Sequence, residues 1–170
     1  YMDWVPLMLD EEVVEFPVDQ STLTKKLTDQ AIKFIESNKD DPFLLYLAHP
    51  MPHIPLFASQ RFNGHSAAGL YGDVIEELDY ETGRLISVLD KLDISKNTLV
   101  IFTSDNGPWL SKGADGGHAL PLRSGKGSVF EGGMRVPCIM RWPGIIPSNV
   151  MCSDIASTLD IFPTIANFLD

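Results

Sequence analysis

The chain has 170 residues, 44% of them hydrophobic and 21% charged, enough for one domain with a buried core. A formal charge of −10 and a pI of about 4.7 argue against nucleic acid and anionic membrane surfaces, which reward clustered Lys and Arg. No apolar run approaches bilayer-spanning length, and two cysteines, Cys138 and Cys152, are too few for a disulfide scaffold.

Residues 1–20 carry Pro6, Pro17 and the acidic run Asp10-Glu11-Glu12, and read as irregular peripheral chain. Ser21 or Thr22 is placed to N-cap a helix to about Asn38, with Leu23, Leu27, Ala31, Phe34 and Ile35 on one stripe. Asp40, Asp41 and Pro42 stop it. The unbroken apolar run Phe43 to Ala48 predicts a strand buried on both faces, hence a parallel sheet. Residues 49–72 form a long Pro- and Gly-rich loop of the kind that often carries function. Residues 73–92 predict the clearest helix, striped by Val74, Leu78, Leu85, Leu89 and Leu92. Gly83 inside it reads as a point of close packing. Thr98 to Thr103 predicts the next strand, completing a βαβ unit. After a second glycine-rich loop over 105–135, Val136 to Trp142 predicts a third strand, with Cys138 as a buried thiol. A last helix runs from near Ser157 to Leu169.

The fold class is therefore α/β, with helices around a mostly parallel sheet. Both long loops leave the sheet after a strand, where ligands bind in such folds. His49 and His53 follow the first strand, and Asp105 and Asn106 follow the second. Asp and Asn side by side offer hard oxygen donors suited to Ca²⁺ or Mg²⁺, although Asn106-Gly107 is equally a turn dipeptide. Lys126 lies between two glycines in the second loop. Gly125-Lys126-Gly127 is not a phosphate loop, since Leu120 stands where Gly is required and Gly127 where Ser or Thr is required. Arg123, Arg135 and Arg141 read as structural pairs rather than substrate clamps. His118 is open between a structural and a functional role.

Several segments in fixed order resemble a known family. They are Phe43 to Pro55, with His49-Pro50-Met51-Pro52-His53 at its centre; Gly69-Leu70-Tyr71-Gly72-Asp73; and Phe102-Thr103-Ser104-Asp105-Asn106-Gly107. They continue through Pro121 to Gly127, Glu131 to Pro137 and Ser157 to Thr164. From about residue 42 onward the chain resembles the C-terminal part of a sulfatase catalytic domain, of the arylsulfatase type in the alkaline phosphatase-like superfamily.

The resemblance implies that residues 1–170 form part of one such domain, 1–20 irregular and 21–170 its α/β part. It implies that Asp105 and Asn106 bind Ca²⁺, with Asp105 also a catalytic residue near the nucleophile, that Lys126 binds the sulfate oxygens, and that His53 contacts substrate and helps protonate the leaving oxygen. His49 has no counterpart. The family's formylglycine nucleophile arises within Cys/Ser-X-Pro-Ser-Arg, which neither Cys138 nor Cys152 satisfies. That nucleophile is expected upstream of Tyr1, in a longer chain, and the 170 residues alone are expected to be inactive. The implied substrate is a small-molecule or carbohydrate sulfate ester, and the implied location is periplasmic, secreted or lysosomal. A phosphatase or phosphonate hydrolase of the same superfamily, or a non-catalytic sulfatase-like binding protein, are the alternative readings.

Overall fold

The computed structural model describes residues 4–169. A hairpin comes first, with β1 (Leu7–Leu9) antiparallel to β2 (Glu12–Glu15) and Leu9 opposite Glu12. Asp10 turns the chain at φ 53°, a left-handed conformation that Asp tolerates. The acidic run that reads as loose chain thus supplies the turn of a hairpin.

Helix α1 (Gln20–Asn38) is capped by Asp19, two residues before Ser21. The Asp19 carboxylate accepts from the Ser21 backbone N–H at 3.0 Å and from its hydroxyl at 2.7 Å. Leu23, Thr24, Thr28, Ala31 and Ile35 form its buried face. The helix ends where the Asn38 side-chain amide donates to the Phe34 carbonyl, 2.8 Å.

Residues 43–48 are extended but have no ladder partner among the described residues, so the predicted strand is not formed there. One side is covered. Phe43 meets Phe34 edge-on at 5.8 Å, and Leu45 and Leu47 line an apolar groove of about 340 Å³ with Leu9, Leu27 and Ala31. On the other side Leu44 and Tyr46 are 74% and 89% exposed. Apolar runs encode an extended segment that can be buried twice. A strand also needs a neighbour for its backbone N–H and C=O groups, and none lies alongside.

Helix α2 (Gly69–Lys91) starts a turn before the predicted Asp73. Its inner face and the 49–68 loop make the core, in which Val74 and Leu78 pack with Met51, Leu56, Ala58 and Phe62. The loop is tied down by buried carboxylates of α2. Asp73 accepts from the N–H groups of Ser66 at 2.6 Å and Gly64 at 2.8 Å, and Glu77 from that of Ser59 at 2.8 Å. Arg84 joins α2 to α1, 2.7 Å from Asp29 and 2.6 Å from Glu81. Gly83 faces open space rather than a packing partner, so the close-packing reading does not hold.

Strand β3 (Val100–Thr103) pairs with β4 (Cys138–Arg141) antiparallel, Val100 opposite Arg141 and Thr103 opposite Cys138. The loop between them, which contains the short helix α3 (Glu131–Met134), folds back beside β3 instead of crossing over. Among the described residues there are two small antiparallel sheets and no parallel pair, in contrast to the expected parallel sheet. The ribbon is open, with Ile139 64% exposed, and Cys138 is an exposed free thiol rather than a buried one; Cys152 is likewise free and exposed. Arg141 pins β4 to the end of α2 through Asp90 at 2.9 Å and the Ser95 hydroxyl at 3.3 Å. Ser157 caps a short turn that leads into α4 (Ile161–Leu169), where Phe168 meets Trp142 edge-on at 5.0 Å.

Candidate active site

The exit from β3 builds the site. Ser104 donates through its hydroxyl to the Asn106 carbonyl at 3.2 Å, and the Asn106 amide donates to the Asp105 carboxylate at 2.5 Å. That bond spends the amide nitrogen. It leaves the Asn106 Oδ1 and the second Asp105 oxygen with no hydrogen-bond donor among the described residues. The backbone then turns tightly, and the Gly107 N–H donates to the Gly133 carbonyl at 3.0 Å. A Cβ on Gly107 would lie 1.9 Å from the Gly132 carbonyl oxygen, so the two segments meet only because no side chain stands between them.

The same approach carries Lys126 to this exit. Its backbone N–H donates to the Pro108 carbonyl at 2.8 Å, and a Cβ on Gly125 would come within 2.4 Å of that oxygen. The Lys126 ammonium then lies over the Trp109 ring, 5.1 Å from its centroid. His53 arrives from the 49–68 loop, and its ring sits 5.6 Å from that of Trp109, tilted by 53°. Two of the sequence-predicted residues, His53 and Lys126, therefore meet at one indole. Asp105 and Asn106 lie just upstream on the same turn. Trp109 is absent from the candidates drawn from the sequence, because a single aromatic after a proline in a loop has no periodicity to mark it. The turn Asn106-Gly107-Pro108 was the available signal.

His53 is held in a defined state. Its Nδ1 is 2.8 Å from the Ile54 carbonyl, which can only accept, so Nδ1 carries a proton. His49 differs. Its Nδ1 is buried without a partner, and burial pushes its pKa below the ordinary value, which favours a neutral ring. The arginines read as structural behave so. Arg141 pairs with Asp90, Arg135 lies 3.4 Å from Glu131, and Arg123 stacks over Phe130 at 3.6 Å. His118 is exposed.

For a metal, the donor set fits in kind. A carboxylate and an amide oxygen are hard ligands, but they supply only part of the roughly six to eight that Ca²⁺ takes. Among the described residues no group of three or more His, Cys, Asp or Glu side chains forms a cage.

The Sulfatase family model matches residues 6–170. The chain is 40% identical over 165 residues to the steryl-sulfatase of Homo sapiens, covering 94% of this chain and 28% of that protein. It is 42% identical over 171 residues to the N-acetylgalactosamine-6-sulfatase of Mus musculus, covering 96% and 32%. Among solved structures, Ps i-CgsB superposes with a TM-score of 0.84 at 36% identity, over 96% of this chain and 37% of that one. The PsFucS1 sulfatase from Pseudoalteromonas sp. gives 0.74 at 36% identity, over 78% and 28%. The chain thus spans about a third or less of the curated relatives' length, and across nearly all of its own length it belongs to the sulfatase family.

Proposed function

We propose that this chain contributes part of the active site of an enzyme that hydrolyses sulfate esters. The observation that carries the reading is the contact of both Lys126 and His53 with Trp109, three residues beyond the Asp105-Asn106 pair at the exit of β3. The net reaction adds water to R–O–SO₃⁻, breaks the ester S–O bond, and yields the alcohol and hydrogen sulfate. When bound, Ca²⁺ supplies positive charge against the sulfate oxygens and a formylglycine residue supplies the nucleophile, as the family resemblance implies.

This chain's own residues do the rest. Asp105 and Asn106 hold the metal through their side-chain oxygens. The Lys126 ammonium donates N–H to nonbridging sulfate oxygens, whose charge a nearby cation stabilises most effectively in a site shielded from water. His53, as the imidazolium, gives its Nε2 proton to the departing oxygen, while the Ile54 carbonyl retains the Nδ1 proton. The substrate is a small-molecule or carbohydrate sulfate ester. In this reading residues 43–48 and β3 are strands of a larger, mostly parallel sheet with helices on both faces, of the alkaline phosphatase-like kind.

The purified protein containing this chain is to be assayed on 4-nitrophenyl sulfate and 4-nitrophenyl phosphate, with and without a chelator. Sulfate turnover that exceeds phosphate turnover and falls on chelation is expected. Faster turnover of the phosphate would make it a phosphatase, and no turnover of either a sulfatase-like binding protein.

A further inference from the structure

We propose that Trp109 is a positioning residue that holds the Lys126 ammonium and the His53 ring in working order with one indole. The inference rests on the sulfate-ester reading above. Three side chains converge on this ring from separate stretches of chain. Lys126 lies 5.1 Å from its centroid, His53 5.6 Å and Lys112 4.6 Å. Trp109 itself is half-buried, and the backbone just before it is fixed by the Lys126 N–H on the Pro108 carbonyl.

The choice of an aromatic partner matters physically. Several cations of this acidic chain take carboxylates, as Lys26 does with Glu15, Arg84 with Asp29 and Arg141 with Asp90, while Arg61 and Arg123 stack on aromatic rings. Among the described residues neither Lys126 nor Lys112 has a carboxylate in ion-pair range. A carboxylate would neutralise Lys126 and compete with sulfate for its N–H groups. The face of an indole attracts an ammonium through its quadrupole, leaves the formal charge in place and takes none of the three donors. Trp109 therefore restrains the cation without discharging it, and Lys112 on the same ring adds positive potential where an anion must enter a chain of charge −10. The tilted contact with His53 sets the ring that faces the leaving oxygen. The indole has no proton to exchange in this reaction, so it acts through its two neighbours.

The test is a double-mutant cycle in the protein containing this chain. The variants are Trp109→Leu, Trp109→Phe, Lys126→Ala and the Trp109→Leu/Lys126→Ala double. They are assayed on 4-nitrophenyl sulfate, which has a good leaving group, and on a primary alkyl sulfate, which needs the acid. Binding of inorganic sulfate is read by calorimetry in parallel. Trp109→Leu is expected to lower kcat/KM on the aryl ester about tenfold, the effect of losing one desolvated cation–π contact. It is expected to have less than about a twofold effect once Lys126 is already Ala, because coupled residues are non-additive. The loss is expected to be larger on the alkyl ester, and Trp109→Phe is expected to recover most of it. Sulfate affinity should fall with Trp109→Leu and show the same coupling. Equal losses from Trp109→Leu in both backgrounds, or full activity and sulfate affinity in Trp109→Leu, would overturn the inference while leaving the sulfatase reading intact. If Trp109→Leu does not fold, Trp109→Met, which keeps much of the volume and has no ring, carries the same comparison in both backgrounds. A wild-type protein inactive on every sulfate ester would overturn the underlying reading and the inference with it.

Discussion

At the scale of single residues, the site separates groups that act by charge from groups that shape the backbone. In the proposed reading Lys126 faces the sulfate and Asp105 the metal, where charge is greatest. Replacing either with Ala in the protein containing this chain is expected to lower kcat by ~10²–10³. His49→Ala is expected to cost far less, because that ring is not drawn into the contacts around Trp109; steady-state assays of the three variants check the ranking. His49 instead marks pH-dependent stability. Its folded pKa lies below the ordinary 6.5, so as pH falls through that value the unfolded chain takes up a proton that the folded chain refuses. Stability is therefore lost progressively from about pH 6.5 downward. Asp90 has its pKa lowered from 3.8, first by the Ser95 hydroxyl and then by Arg141. Its contribution is present above that value and is lost at still lower pH. Denaturant midpoints measured from pH 7 to 3 should decline in both windows, and His49→Gln should flatten only the upper one. The candidates Asp105, Asn106, His53 and Lys126 could be named from the sequence because they sit in family-like motifs. Trp109 could not be, since its contacts come from the 49–68 loop and from a later stretch of its own loop.

At the scale of elements, helices and the strands β3 and β4 form where their local pattern places them, while the 43–48 strand and the direction of pairing do not follow. The stripe of α2 is buried where periodicity placed it, at Val74, Leu78 and Leu89, because its partners lie in the adjoining loop and in α1. Residues 43–48 and β3 carried equally plain apolar runs. Pairing is a relation between segments far apart in sequence, and a hydrophobic run specifies neither direction nor neighbour. The antiparallel match of Thr103 with Cys138 follows from the fold of the intervening loop, and that fold depends on backbone approaches only glycine permits. Gly132→Ala would put a Cβ 2.0 Å from the Ser124 carbonyl oxygen and is expected to unseat Lys126, lowering both melting temperature and turnover. Gly83→Ala meets nothing within 4 Å and removes a helix-interior glycine, so it is expected to stabilise by about 1 kcal/mol. Chemical denaturation of the two variants reads the opposite signs.

At the scale of the whole molecule, the apolar surface is unusually open. Tyr46, Leu44, Ile139 and Phe162 are 89%, 74%, 64% and 81% exposed, and the 43–48 backbone presents unpaired edges. Exposed edges and patches of this kind drive association. The 170 residues expressed alone are expected to sediment as oligomers or aggregates, and a monodisperse monomer with a sharp melt would show that they suffice by themselves. Composition marks the chain as acidic, and no helix among the described residues is long and apolar enough to cross a membrane. What the sequence pattern could not convey is which surfaces stay open, because the covering partners of an apolar run are not written in the run. The central claim is chemical, and steady-state hydrolysis of 4-nitrophenyl sulfate by the purified protein containing this chain, beside its Lys126→Ala variant prepared identically, tests it most directly. Sulfate release by the wild type, reduced ~10²–10³-fold in the variant, is the predicted result; equal rates in the two, or none in the wild type on any sulfate ester, would contradict the account.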